Sequence, residues 1–186
     1  GQAIHAMAQR FPRSQFIGID LCEPAIAQAR RTAREHRTDN VTYRVADDAD
    51  MPFDDDLFDL IVTFDVIHDQ ADPDRFLDQL HRVLKPGGAY LAQDIQGSGS
   101  HEADRQHPMG TFIYTISCMH CMSVSLAQGG RGLGAAWGEP LALQMLGEAG
   151  FENITVNRLD HDPMNNFYVM NKPLDVTADA LEPAMA

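Results

Sequence analysis

An open α/β sheet covered by helices is the fold this sequence predicts, on three observations. Short apolar runs of strand length alternate with amphipathic segments of helix length. The run from Leu57 to Phe64 is apolar almost throughout, as a strand covered on both faces requires. Lys85-Pro86-Gly87-Gly88 then punctuates the passage from a helix into the next strand. The 186 residues suffice for one domain with a real core and fall short of two well-built ones.

Each element has a local reason. Ile4, Met7, Ala8 and Phe11 recur at helical spacing, and Pro12 closes that first helix. QFIGID reads as a strand ending in Asp20, and Pro24 initiates the Ala- and Arg-rich helix PAIAQARRTAREH. VTYRV, 41–45, is the next strand, followed by the one from Leu57. Asp72-Pro73 caps a helix reaching Leu84, with Phe76, Leu77, Leu80, Val83 and Leu84 inward. LKPGG has Pro and Gly at the centre of a type II turn and launches the strand AYLAQDI. Residues 96–137 read as an inserted lid: a polar stretch to Pro108, the Met- and aromatic-rich MGTFIYTISCMHCMSVSLA, and a Gly-rich loop to Trp137. A helix from Glu139 to Gly150 and the strands FENITVNRL and NNFYVMN complete a domain over 1–172, with 173–186 a flexible tail.

Composition narrows the function. Fourteen Lys and Arg oppose 27 Asp and Glu, a net charge of −13, which works against nucleic acid as partner. Three cysteines, Cys22, Cys118 and Cys121, are an odd number and argue against a secreted disulfide scaffold. No run approaches 18 consecutive apolar residues, and the opening GQAIHAMAQRF lacks the form of a signal peptide, so a cytoplasmic protein without a membrane partner is expected.

In an open α/β sheet ligands sit beyond the carboxyl ends of the strands, where this sequence places Asp20, Asp47 and the Phe64-Asp65 pair. With GIDLCEPAIAQAR, ADDADMPF, LFDLIVTFDVIH and LKPGG in this order and spacing, the chain resembles the class I S-adenosylmethionine-dependent methyltransferases from Gly1 to Lys172. HPMGTFIYTISCMHCMSVSLAQGG and AAWG are similar to a bacterial branch whose members carry an amino-terminal winged-helix domain. The resemblance implies a Rossmann-like sheet of order 3-2-1-4-5-7-6 with the last strand antiparallel, and S-adenosylmethionine as cofactor. It also implies that the first strand and its Gly-rich loop precede this sequence, Gly1 being the loop's last glycine; a truncated chain with little activity of its own is therefore expected. Asp20 would take the ribose hydroxyls, Asp47, Asp48 and Ala49 the adenine edge, Leu21 and Met51 the adenine faces, and Phe64-Asp65 the neighbourhood of the sulfonium. The partner would be a small, partly apolar methyl acceptor, and a homodimer could form through the absent amino-terminal domain.

Methyl transfer asks mainly for alignment and exclusion of water, so a base is optional. His68, just past the strand carrying Phe64-Asp65, is the candidate, ahead of its neighbour Asp69; a plain loop histidine is the alternative reading. Asp94, Phe112, Tyr114 and Met119 are assigned to the acceptor pocket, with packing over the sheet as the alternative for the Met and aromatic stripe. Cys118-Met119-His120-Cys121 invites a metal reading, but without a second cysteine pair the four ligands of a zinc site are not apparent, and no metal is expected. Asp54-Asp55-Asp56 reads as a solvated turn. Two rival functions are a nicotinamide-dependent oxidoreductase, since an acid after a strand also binds a dinucleotide ribose, and a noncatalytic methyltransferase-like module.

Overall fold

The computed structural model describes residues 1–47 and 49–175, so Asp48 and all of the 173–186 tail beyond Asp175 lie outside the described residues. The chain divides into two compact units, Gly1–Pro52 and Phe53 onward.

In the first unit α1 (Gln2–Arg10), β1 (Phe16–Asp20), α2 (Glu23–Glu35) and β2 (Val41–Val45) follow the predicted order. β1 and β2 are parallel, with Phe16 opposite Val41 and Asp20 opposite Val45, so both strands end at one edge. α2 carries Pro24 in its first turn, where the missing N–H costs nothing, and buries Ile26, Ala29 and Ala33 against Tyr43. Tyr43 lies so close to β1 that a Cβ on Gly18 would sit 2.8 Å from its ring, which explains a glycine in mid-strand. The Asn40 side-chain amide donates to the carbonyls of Ala8, Phe11 and Ser14, tying down the α1–β1 connection.

The second unit contains β3 (Phe58–Phe64), α3 (Pro73–Val83), β4 (Leu84–Ile95), α4 (His101–Asp104), α5 (Gly110–Ile116), α6 (Met122–Ala127), α7 (Glu139–Glu148), β5 (Glu152–Leu159) and β6 (Asp162–Asn171). Its sheet has the order β3-β4-β6-β5, β3 parallel to β4 and β6 antiparallel to both its neighbours. The described strands thus form two sheets, and no described strand precedes α1. Asp72 caps α3 by accepting from the Arg75 N–H (3.0 Å), and the predicted inner face is buried in full. Tyr90, Tyr168, Met145, Leu146 and Met170 complete the core.

Three local expectations need correction. LKPGG is not a turn preceding a strand: β4 already begins at Leu84, opposite Phe58, and Ala89 lies opposite Leu60, so Lys85 to Gly88 bulge out against Asp59 alone. Gly87 does take the positive φ (+76°) that the turn reading required, and its N–H pairs with the Lys172 carbonyl (2.9 Å), which draws the bulge into the ladder. The polar stretch to Pro108 contains the short helix α4. The Met-rich segment is one helix, Gly110–Ala127, interrupted by a π-turn at Ser117–Cys121. Its mean hydropathy of 1.2 over 18 residues makes it long and apolar enough to cross a membrane by length and composition. Its inward positions are Ile113, Ser117, Cys121 and Ser125, while Phe112, Ile116, Met119, Val124 and Leu126 face outward.

Leu80, on the inner face of α3, is fully enclosed. Leu80→Ala should therefore lower the unfolding free energy by about 2–5 kcal/mol through lost transfer energy and a residual cavity. Urea denaturation with an unchanged m-value is the measurement.

Candidate active site

At the common edge of β1 and β2, Asp20 is exposed and its Oδ1 accepts from the Cys22 N–H (2.8 Å), which fixes the carboxylate at the entrance to α2. Asp47 is likewise exposed, its Oδ1 accepting from the Ala49 N–H (2.9 Å). Both carboxylates are therefore held by short Asx turns with exposed oxygen surface. Leu21 is exposed beside Asp20, and Met51 is buried four residues beyond Asp47. Gly1 lies against Ala29, where a Cβ would approach to 2.8 Å.

The second unit holds a denser cluster. Asp94, near the carboxyl end of β4, is 0% exposed. Its Oδ1 accepts from His68 Nδ1 (2.5 Å), Trp137 Nε1 (3.3 Å) and the Ile95 N–H (2.8 Å), while Oδ2 is buried without a hydrogen-bond partner. His68 sits in a 3₁₀ turn, Ile67–Asp69, directly after β3 and is 3% exposed. With Nδ1–H held by Asp94, the second ring nitrogen Nε2 faces Asp69 Oδ1 at 3.4 Å. Burial acts to lower the His68 pKa; the hydrogen bond and charge of Asp94, with Asp69 and Asp65, outweigh it and hold the imidazole above its ordinary value. Asp65 has a left-handed backbone (φ 52°) and accepts from Gln93 Nε2 (3.0 Å); desolvation and then repulsion from Asp94 raise its pKa. Phe64, the last residue of β3, is exposed.

The helix beside this cluster contributes Cys121, which is buried and whose thiol is pushed up to about 12 by burial and then by Asp69. Ile113 and Cys121 pack with Ala135, and Ile95 and Met109 join them. The Gly110–Ala127 helix thus packs over the end of β4. The pocket residues assigned to it are distributed differently. Phe112 is 48% and Met119 78% exposed, and the Tyr114 hydroxyl donates to Asp104 Oδ2 (2.9 Å); no described contact joins any of the three to Asp94. Asp104 itself borders an open, polar cleft of about 390 Å³, with Gln96, His107, Glu139 and Arg158.

Sequence reasoning named His68, Asp69 and Asp94 but did not join them, and it missed Trp137. A lone tryptophan after a Gly-rich loop was the available signal, because a buried indole N–H needs an acceptor. The run Asp54-Asp55-Asp56 bears out its structural reading: Asp55 pairs with Arg82 and Asp56 with Lys172.

Residues 1–131 match the methyltransferase domain family, and the chain belongs to it. A demethylmenaquinone methyltransferase from Symbiobacterium thermophilum is 28% identical over 125 residues, 67% of this chain and 48% of that protein. One from Thermus thermophilus is 37% identical over 89 residues, 48% of this chain and 40% of that protein. The chain thus spans about half the length of these relatives or less. The fold is shared with an O-methyltransferase family protein from Burkholderia thailandensis at a TM-score of 0.67 and 17% identity, over 93% of this chain and 49% of that one.

The raised His68 pKa has a testable sign. A group whose folded value lies above its unfolded one contributes stability that is complete below the ordinary 6.5 and is lost as pH rises through the folded value. The urea midpoint should fall as pH rises through that window, and Asp94→Asn should flatten the fall while shifting the His68 imidazole titration, followed by NMR, to lower pH.

Proposed function

We propose that the protein to which this chain belongs transfers a methyl group from S-adenosylmethionine to a small, partly apolar acceptor. The observation that carries the reading is the pairing of His68, just past β3, with a wholly buried Asp94 near the carboxyl end of the parallel strand β4, in a chain of the methyltransferase domain family. Two of the relatives are demethylmenaquinone methyltransferases by name, which supports this acceptor class.

The residues present suit the cofactor. Asp20 offers exposed carboxylate oxygen at a strand end, fixed by the Cys22 N–H, as a ribose diol requires; Asp47 with Ala49 offers polar groups for an adenine edge, and Leu21 and Met51 offer apolar surface. When bound, the cofactor supplies an electrophilic methyl group with a good leaving group. The chain must hold its acceptor in line, exclude water and manage the acceptor's proton. We assign the last task to His68: Asp94 takes Nδ1–H, fixes the ring and leaves the lone pair at Nε2.

The match of residues 1–131 to the methyltransferase domain family favours methyl transfer over the oxidoreductase reading, while the His68–Asp94 pair by itself fits all three. Separate calorimetric titrations with S-adenosylhomocysteine and NAD decide among the three; binding of NAD alone would overturn methyl transfer, and binding of neither would favour the noncatalytic module. Loss of the ribose acceptor should cost about 1–3 kcal/mol, so Asp20→Ala should weaken S-adenosylhomocysteine binding about 5- to 150-fold. His68→Ala should instead depress kcat and leave that affinity unchanged.

A further inference from the structure

The Cys-Met-His-Cys segment was set aside for want of ligands, and the fold supplies them from elsewhere. His68, Asp69 and Cys121 each present one ligand atom within 4.8 Å of the other two. They come from two separate segments, the turn after β3 and the Gly110–Ala127 helix. We propose that His68 Nε2, Asp69 Oδ1 and Cys121 Sγ form a binding site for a divalent ion of borderline softness, Zn²⁺ above all, with the fourth tetrahedral position open to the heteroatom of an acceptor.

Four features of the structure support this site independently. The first is spacing. His68 Nε2 and Asp69 Oδ1 lie 3.4 Å apart, long for a hydrogen bond, and the Cys121 thiol is within hydrogen-bonding reach of the same Asp69 carboxylate. Two ligands each about 2.0–2.1 Å from a tetrahedral zinc stand about 3.4 Å apart, so a separation poor for a hydrogen bond suits a shared ion. The second is the support behind the histidine. Metal-binding imidazoles characteristically give their other N–H to a carboxylate, and His68 gives Nδ1–H to Asp94, which the Ile95 and Trp137 N–H groups orient in turn.

The third is the π-turn at Ser117–Cys121, an irregularity that falls on the helix turn bearing the sulfur ligand. The fourth is the donor set: one nitrogen, one oxygen and one sulfur, with His68 and Cys121 removed from water, select zinc over the hard cations magnesium and calcium. Cys118, exposed on the same helix, belongs to no such cluster.

This inference rests on the proposed role of His68 in acceptor deprotonation and changes its form: with the Nε2 lone pair on the ion, His68 would not take the proton itself, and the ion would lower the acceptor's pKa so that its proton leaves to water. The test uses the full chain, stripped with a chelator and titrated with Co²⁺ and then Zn²⁺. One equivalent of Co²⁺ should bind with tetrahedral d–d bands and a thiolate-to-cobalt charge-transfer band, and Zn²⁺ should displace it. Cys121→Ser should lose the charge-transfer band, Cys118→Ser should retain it, and Asp94→Asn should weaken Zn²⁺ affinity about 10- to 100-fold. No stoichiometric Co²⁺, Co²⁺ bound without the thiolate band, or loss of the band in Cys118→Ser instead would overturn the site. Should Cys121→Ser unfold by circular dichroism, Asp69→Asn decides: weakened Zn²⁺ binding supports the site and unchanged binding overturns it. Titration of the same samples with S-adenosylhomocysteine separates the two readings, since metal binding without it removes methyl transfer and leaves the ion site, and the converse removes the ion site alone.

Discussion

A carboxylate with no access to water governs the second unit. Burying a carboxyl group is costly unless hydrogen bonds replace the lost hydration, and Asp94 offsets part of that cost through three N–H groups converging on Oδ1, Oδ2 being left without a partner. Those donors come from its own strand, from the turn after β3 and from the loop after α6. Each is held in position because withdrawing it would leave a buried charge short of a partner. Three segments remote in sequence are therefore fixed around one atom, and the imidazole is oriented as a by-product of solvating the carboxylate.

The inserted segment completes that arrangement through its backbone and small polar side chains. The Gly134 N–H donates to the His68 carbonyl (3.2 Å), the Arg131 N–H to the Ala71 carbonyl (2.9 Å), and the Ser125 hydroxyl to the Gln70 carbonyl (2.9 Å). Ser125 is buried for this reason, while Phe112, Ile116, Met119, Val124 and Leu126 of the same helix face outward. Close approach decides which residues point inward: a Cβ on Gly130 would lie 2.5 Å from the Ala71 backbone, so only small groups fit where helix and loop meet the turn. The helix thus serves as a strap over the carboxyl end of the sheet, and hydrophobicity alone would have turned it the other way.

Periodicity made most of the fold legible, and the failures have physical causes. α1, α2, α3 and, apart from the start of β4, the six described strands follow from spacing, caps and prolines, because those signals act within a few residues. LKPGG was misjudged because its local chemistry is that of a turn, whereas its register is set by Lys172, an element far along the chain. The π-turn carries no compositional mark, since Ser-Cys-Met-His-Cys differs little from an ordinary helical stretch. Asp94 stands 26 residues from His68, and only the parallel pairing of β3 with β4 brings the two ends together.

Burial is what separates carboxylates that the sequence treats alike. Asp20, Asp47 and Asp94 all stand at or just beyond strand ends, and all accept from a nearby backbone N–H. Asp20 and Asp47 stay exposed, so hydration must be surrendered only when a ligand arrives and can repay it with its own donors. Asp94 has surrendered hydration already, on folding, and its donors are protein groups that no ligand displaces without cost. The first two are therefore suited to recognising a molecule that comes and goes, and the third to holding a side chain still. A methyltransferase needs both kinds, because cofactor exchange demands reversible contacts while the reacting heteroatom must meet a fixed geometry. One residue type at strand ends suits either task, and the difference lies in which helices and loops close over each strand.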